Sequence, residues 1–190
     1  MSEAHEPSRT ELSVGTMIQS RRLDLLPLSP ATIRAALAGD RRGMGQVLGV
    51  SVPASWEVRR EFLELQLRKL EANSALHPWL ARGISLRDEG LLIGDIGFHD
   101  EPAAPSASAP KSVEFGYSII ESHRRRGFAR EAAEALMQWA CAQHGVHRFL
   151  LSISPENQPS RALAAKLGFQ KVGSKIDEQD GPEDIFEKIV

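Results

Sequence analysis

Apolar positions along the chain follow two periods, and the changes between them mark out the elements. Residues 1 to about 18 show neither period and read as a flexible N-terminal arm, leaving 19–190 as a single domain. RRLDLLPLSP reads as a short strand ending at Pro27. Ser29 followed by Pro30 then predicts a helix start, with Ile33, Ala36 and Leu37 on one face and Gly39 as the stop. GMGQVLGVSVPASW is glycine-rich and reads as irregular, and a longer helix is expected from about Ser55 to Ala72, with Val58, Phe62, Leu65 and Leu70 at helical spacing.

After this helix the period becomes two. Leu80, Ile84 and Leu86 share a face, then Leu92, Ile96 and Phe98, then Val113, Phe115, Tyr117 and Ile119, which predicts an antiparallel meander of three strands. Asp88-Glu89-Gly90 supplies its first turn, and EPAAPSASAPKS its second as a long, mobile loop. A helix follows with Ala129, Ala132, Ala133, Leu136, Met137 and Ala140 on one side and Gly145 at its end. VHRFLLSIS is the next strand, and a strand–helix–strand run implies a parallel pair. A short helix capped by Asn157 and ended by Gly168 comes next, and two strands across Gly181-Pro182 close the chain. The expected order is βααβββαβαββ.

Composition narrows the classes of function. Lys and Arg total 23 against 25 Asp and Glu, a net charge of −2, so no global basic field is available for nucleic acid or an anionic membrane. The single cysteine, Cys141, forms no internal disulfide, and no apolar run approaches the roughly 18 residues of a membrane span. These features give a cytoplasmic protein as the expectation. The six histidines are scattered and make no metal site: His144 and His147 straddle Gly145, where a helix should end.

The candidate chemistry sits at the strand-to-helix junction HRRRGFAREAAEALMQWACAQHG. The first N–H groups of a helix lack intrahelical partners and lie at its positive end, so Arg124, Arg125, Arg126, Gly127, Phe128 and Ala129 make a local site for a pyrophosphate. Gly127 admits a close ligand, and arginine adds charge-assisted bonds. A solvated arginine run before an ordinary helix is the plainer reading of the same residues. A nucleotide-binding domain is disfavoured, because no Gly-Lys-Ser/Thr sequence accompanies the loop.

The Arg-x-x-Gly-x-Ala pattern between a strand and a long helix, followed about thirty residues later by SPENQPSRALAAKLGFQKVG, resembles the two signatures of the GNAT N-acetyltransferase superfamily, and its Rim-type ribosomal-protein branch in particular. The resemblance runs from about Arg21 to Val190. It implies a mixed α/β (α+β), mostly antiparallel sheet of about seven strands flanked by about four helices, with a V-shaped cofactor cleft. It also implies acetyl-CoA as co-substrate and an amine acceptor: a peptide N-terminus, a polyamine or an amino sugar. Backbone groups near Ser118, Ile119 and Ile120 would pair with the pantetheine arm, and Asn157 and Ser160 would also contact the cofactor. The branch includes monomers and homodimers.

Strand alternation puts Glu114 on the face of Gly116 and Ser118, which makes it the candidate general base, with a solvent-facing glutamate as the alternative. Ser160 is a candidate proton donor to the leaving thiolate, with a first-turn helix serine as the alternative, and Asn157 doubles as a helix cap. Many superfamily members carry a tyrosine general acid in this last helix. Here Ala164 and Ala165 stand in its place, and the chain's only tyrosine is Tyr117, on a strand. That departure keeps open a catalytically silent, regulatory coenzyme A-binding module as a rival to the enzyme.

Overall fold

The computed structural model describes residues 16–104, 110–178 and 180–190. Its strands are β1 (Ile18–Gln19), β2 (Leu23–Pro27), β3 (Arg82–Leu86), β4 (Leu91–Phe98), β5 (Ser112–Ile119), β6 (Arg148–Ile153), β7 (Gln170–Asp177) and β8 (Gly181–Ile189). They form one sheet in the order β1-β2-β3-β4-β5-β6-β8-β7. Every pair is antiparallel except β5 with β6, the two strands joined through a helix. The helices are α1 (Pro30–Leu37), α2 (Arg41–Leu48), α3 (Arg60–Ala72), α4 (Phe128–His144) and α5 (Gln158–Lys166).

Local chemistry explains most boundaries. Ser29 Oγ accepts the Thr32 N–H at the head of α1, and Asn157 Oδ1 accepts the Ser160 N–H at the head of α5. α4 ends on Gly145, which adopts the left-handed conformation that closes its last turn.

Three features depart from expectation. The glycine-rich segment after Gly39 begins with α2, because Asp40 caps it through the Gly43 N–H, left-handed Gly49 ends it, and Met44 on its inner face is fully buried. The long helix starts at Arg60 rather than Ser55. The sheet has eight strands, the additional one being β1, whose Ile18 is buried; the remainder of the expected N-terminal arm lies outside the described residues, as does the middle of the expected 101–112 loop.

The two faces of the sheet differ in chemistry. Phe98 and Phe149 stack at 6.4 Å, Phe98 stacks on Trp139 of α4 at 6.4 Å, and Phe115 meets Phe169, just after α5, at 6.1 Å. α4 and α5 therefore cover an aromatic face. Alternation sends Asp95, Glu114, Gly116 and Ser118 to the other face, which α1 to α3 approach: Arg59, before α3, pairs with Asp95, and Gln66 of α3 accepts the Ala81 N–H at 3.1 Å. That polar face is where a reacting group can reach the sheet.

Candidate active site

β5 and β6 pair only through Ser112, Val113 and Glu114, opposite Arg148, Phe149 and Leu150. Beyond Glu114, β5 remains bonded to β4 and β6 to β8, but β5 and β6 no longer pair, and the sheet splits into a V. The register decides which backbone groups line it. His99 donates its N–H to Glu114 O and Ile120 donates to Ile93 O, both at 2.9 Å, so the even-numbered residues of β5 turn their backbone groups toward β4. The odd-numbered residues face the opening. The backbone groups facing the opening are those of Tyr117 and Ile119, while Ser118 and Ile120, named with Ile119 from the resemblance, turn theirs toward β4.

The chain then passes through a 3-10 turn (Glu121–His123) into the arginine loop. Arg124 donates Nε to Ile119 O at 2.9 Å, which ties the loop to the end of β5. Arg125 is left-handed at φ 61°, Gly127 is left-handed at φ 80°, and no side chain caps α4. The N–H groups that open this 17-residue helix are thus presented without a side-chain acceptor beside the mouth of the V. Phe128 is buried, Ala129 half-buried, and Arg124, Arg125 and Arg126 are exposed.

One residue outside the motif braces this loop. Arg22, at the head of β2, places its guanidinium 4.4 Å from the Phe128 ring centre and donates to Arg126 O at 3.2 Å. Glu131 holds it, accepting from Arg22 N at 2.7 Å, from Arg22 Nε at 2.7 Å and from Ser20 Oγ at 2.8 Å. Burial pushes the Glu131 carboxyl up, but these bonds outweigh it and hold the group below the usual glutamate range. Sequence spacing carried no signal for this bracket, whose ends are 109 residues apart.

On the polar face, Glu114 occupies the last paired position before β5 and β6 separate, and its side chain is 25% exposed. His99 Nδ1 lies 3.7 Å from Glu114 Oε1. Two rungs along the same face, Ser118 Oγ donates to Asp95 Oδ2 at 2.8 Å, and Arg59 pairs with the other carboxylate oxygen. Burial pushes the Asp95 carboxyl up, while Arg59 and Ser118 pull it down without cancelling the shift. Neither His99 nor Asp95 was singled out in the sequence; the period-two pattern places both on this face only once the β4–β5 register is known.

On the aromatic face, the Tyr117 hydroxyl is buried, with the Ser160 side chain as its polar neighbour. Burial raises its pKa, and Ser160 at the head of α5 is the group that offsets this in part. Ala164, at the position where the resemblance would put a tyrosine, is fully buried. Asn157 acts as the cap of α5, and Glu156 and Glu121 are exposed. Cys141 is half-buried and burial raises its thiol pKa, which fits a packing residue rather than a nucleophile. No group of three or more His, Cys, Asp or Glu side chains among the described residues is arranged to hold a metal, and no helix there is long and apolar enough to cross a membrane.

Residues 22–170, spanning the V, the arginine loop and α5, match the family model described as "Acetyltransferase (GNAT) domain". The chain belongs to the GNAT acetyltransferase family. Among its relatives, the uncharacterized N-acetyltransferase YoaA of Bacillus subtilis is 37% identical over 116 residues, which is 60% of this chain and 63% of YoaA. This chain therefore spans less than two thirds of that relative. Similar solved structures include the Salmonella typhimurium acetyl transferase that modifies the N-terminal serine of ribosomal protein L7/L12, at 18% identity and a TM-score of 0.62 over 92% of this chain and 99% of that one. The ribosomal L7/L12 α-N-protein acetyltransferase RimL in complex with coenzyme A is 16% identical with a TM-score of 0.59, covering 92% and 98% of the two chains. At these identities the likeness is one of fold.

Proposed function

We propose that this GNAT protein is an acetyl-CoA-dependent N-acetyltransferase that moves the acetyl group directly to a primary amine. One observation carries the reading: the sheet opens between β5 and β6 where the uncapped N-terminus of α4 presents its N–H groups. The open edge of β5 offers the Tyr117 backbone groups and the Ile119 N–H to an extended, amide-containing arm, in the manner of an added strand. The N–H groups from Gly127 to Ala129, with Arg125 and Arg126, suit the pyrophosphate. Arg124 and Arg22 set the loop's shape, since both are engaged with backbone carbonyls. Asn157 and Ser160 border the cofactor from the head of α5.

Acetyl transfer requires an amine with a free lone pair, and that pair attacks the thioester carbon as the carbon–sulfur bond breaks toward the thiolate. Glu114, on the polar face beside the apex of the V, is placed to help draw the proton through water or a neighbouring side chain. A protein α-amine, with a reference pKa near 8 against about 10.4 for lysine, is the acceptor that asks least of such a base. The acetyl transferase from Salmonella typhimurium, whose acceptor is an N-terminal serine, supports this class.

Calorimetric titration with acetyl-CoA, followed by thiol release against peptides with free N-termini, polyamines and aminoglycosides, tests the reading. Binding with turnover on a peptide is the expected result. Binding without turnover on any class would make the chain a silent coenzyme A-binding module. Absence of binding would return the arginines to a solvated cluster.

A further inference from the structure

We propose that His99 is the proton acceptor of the reaction, with its Nε2 edge serving the acceptor amine over Gly116 and Glu114 standing behind Nδ1. The inference rests on the acetyltransferase reading above and deepens it by assigning the base.

The placement follows from the register. His99 lies directly across from Glu114, while Gly97 lies across from Gly116 and Asp95 from Ser118, so the polar face carries a ladder whose middle rung has no side chains. The imidazole leans along this ladder: Nε2 stands 3.1 Å from where a β-carbon on Gly116 would be, and nothing else lies within 4 Å of that point. Gly116 is two residues past Glu114, the last position at which β5 pairs with β6. The ring edge therefore overlies β5 just inside the V, in space that any larger residue at 116 would fill. Glu114 Oε1, 3.7 Å from Nδ1, favours the tautomer with hydrogen on Nδ1 and leaves the Nε2 lone pair to face the opening.

The ring's surroundings keep it able to accept. Burial lowers the His99 pKa most; Glu114 from β5 raises it, Lys175 from β7 and Lys69 from α3 lower it, and Glu183 from β8 raises it, with a net downward shift from 6.5. Lys69 also fixes the His99 backbone, donating Nζ to His99 O and to Asp100 Oδ2, each at 2.8 Å. Lys175 is itself held by Glu183 at 3.2 Å. At neutral pH the imidazole is uncharged, the form a base requires, and its side chain is 49% exposed, which lets the proton leave to water. In the step, the ammonium form of the acceptor gives one proton to Nε2, and the freed nitrogen lone pair bonds to the acetyl carbon. The carbon–sulfur bond breaks with its electron pair on sulfur. The proton that the acylated nitrogen still sheds passes through water to the thiolate, and solvent takes the proton from the imidazolium, so no other reactant is consumed.

Two measurements on the full chain test this. The first needs no acceptor: imidazole nitrogen NMR across a pH titration should show His99 neutral at pH 7 with hydrogen on Nδ1, and Glu114→Gln should move its titration to lower pH, because the raising influence is gone. Hydrogen on Nε2 at neutral pH, or a titration indifferent to Glu114→Gln, overturns the proposal. The second is the pH dependence of kcat/KM with acetyl-CoA and a serine-initiated tetrapeptide amide, or whichever of the polyamine and aminoglycoside probes turns over. His99→Gln should lower it about 10²-fold or more at neutral pH. For the peptide probe the deficit should narrow above pH ~8, where the α-amine loses its own proton. A parallel loss at every pH assigns His99 a structural role and sinks the proposal. Acetyl-CoA binding by calorimetry, expected to be equal in wild type and His99→Gln, separates the two readings: a wild type that does not bind defeats the acetyltransferase reading itself, whereas normal binding with a parallel pH profile defeats only the assignment of His99.

Discussion

Gly127 offers the sharpest test of the arginine loop, because its two burdens can be measured separately. It sits at φ 80° and ψ 5°, a conformation in which a residue with a β-carbon costs about 1–2 kcal/mol more than glycine. The only atom within 4 Å of an added β-carbon is Arg22 Nη2 at 3.5 Å, an ordinary contact, so Gly127→Ala adds no steric penalty from the protein itself. For a domain of this size each kcal/mol lowers Tm by roughly 2–4 °C, giving a fall of about 2–8 °C. The ligand adds a second cost. On the proposed placement, a methyl beside the first N–H groups of α4 would displace the pyrophosphate, and losing one charge-assisted hydrogen bond, worth about 1.5–3 kcal/mol, should weaken acetyl-CoA roughly 10- to 150-fold. Gly39→Ala is the matched control: at φ 73° with nothing described within 4 Å of its β-carbon, it carries the same backbone strain between α1 and α2, outside the arginine loop. Scanning calorimetry should show similar Tm losses for the two variants, and titration should show weakened acetyl-CoA binding only for Gly127→Ala. Equal acetyl-CoA affinity in both would refute the placement of pyrophosphate at the head of α4.

Three other outcomes are expected. Gly94→Ala would put a β-carbon 2.1 Å from Ser118 O, a backbone atom that cannot step aside, so Tm should fall by on the order of 10 °C or the protein should fail to accumulate; a normal melt would mean that the β4–β5 register is wrong. Tyr117→Phe removes a buried hydroxyl that makes no close hydrogen bond among the described residues, with the Ser160 side chain as its polar neighbour, and thermal melting should show little change, whereas a clear drop would mean that Ser160 holds that hydroxyl. Asp184 is held well below the usual carboxylate range by Lys171, then Arg161 and Ser174. Its folded pKa being depressed, its contribution is present above the unfolded value near 3.9 and is lost as pH falls through and below it, so Asp184→Asn should flatten the acid side of a Tm-against-pH curve; an unchanged acid limb would contradict the assignment.

Elements with a local chemical boundary were legible in the sequence. Ser29-Pro30 opens α1, Asn157 opens α5 and Gly145 closes α4, each through a bond within a few residues. α2 was misread because Gly43 and Gly45 lower its propensity, although Asp40 and Gly49 framed it with the same signals used correctly elsewhere. β1 is two residues long, too short for any period to register. For the site, the arginine loop was readable because its function depends on contiguous backbone. The residues around the apex were not, since Asp95 and His99 meet Ser118 and Glu114 only through a pairing register that alternation leaves undetermined. Arg22 and Glu131 illustrate the same limit over a longer span.

The three-residue seam between β5 and β6 also bears on how the protein survives in a cell. The strand pairing along that line runs through Ser112, Val113 and Glu114 alone, and a ligand lying in the gap would add bonds on both sides. Whatever binds the native seam and not the unfolded chain shifts the unfolding equilibrium, by about 2.7 kcal/mol when present at a hundred times its Kd. On the acetyl-CoA reading proposed above, the abundance of such a protein is expected to fall in a cell depleted of that ligand.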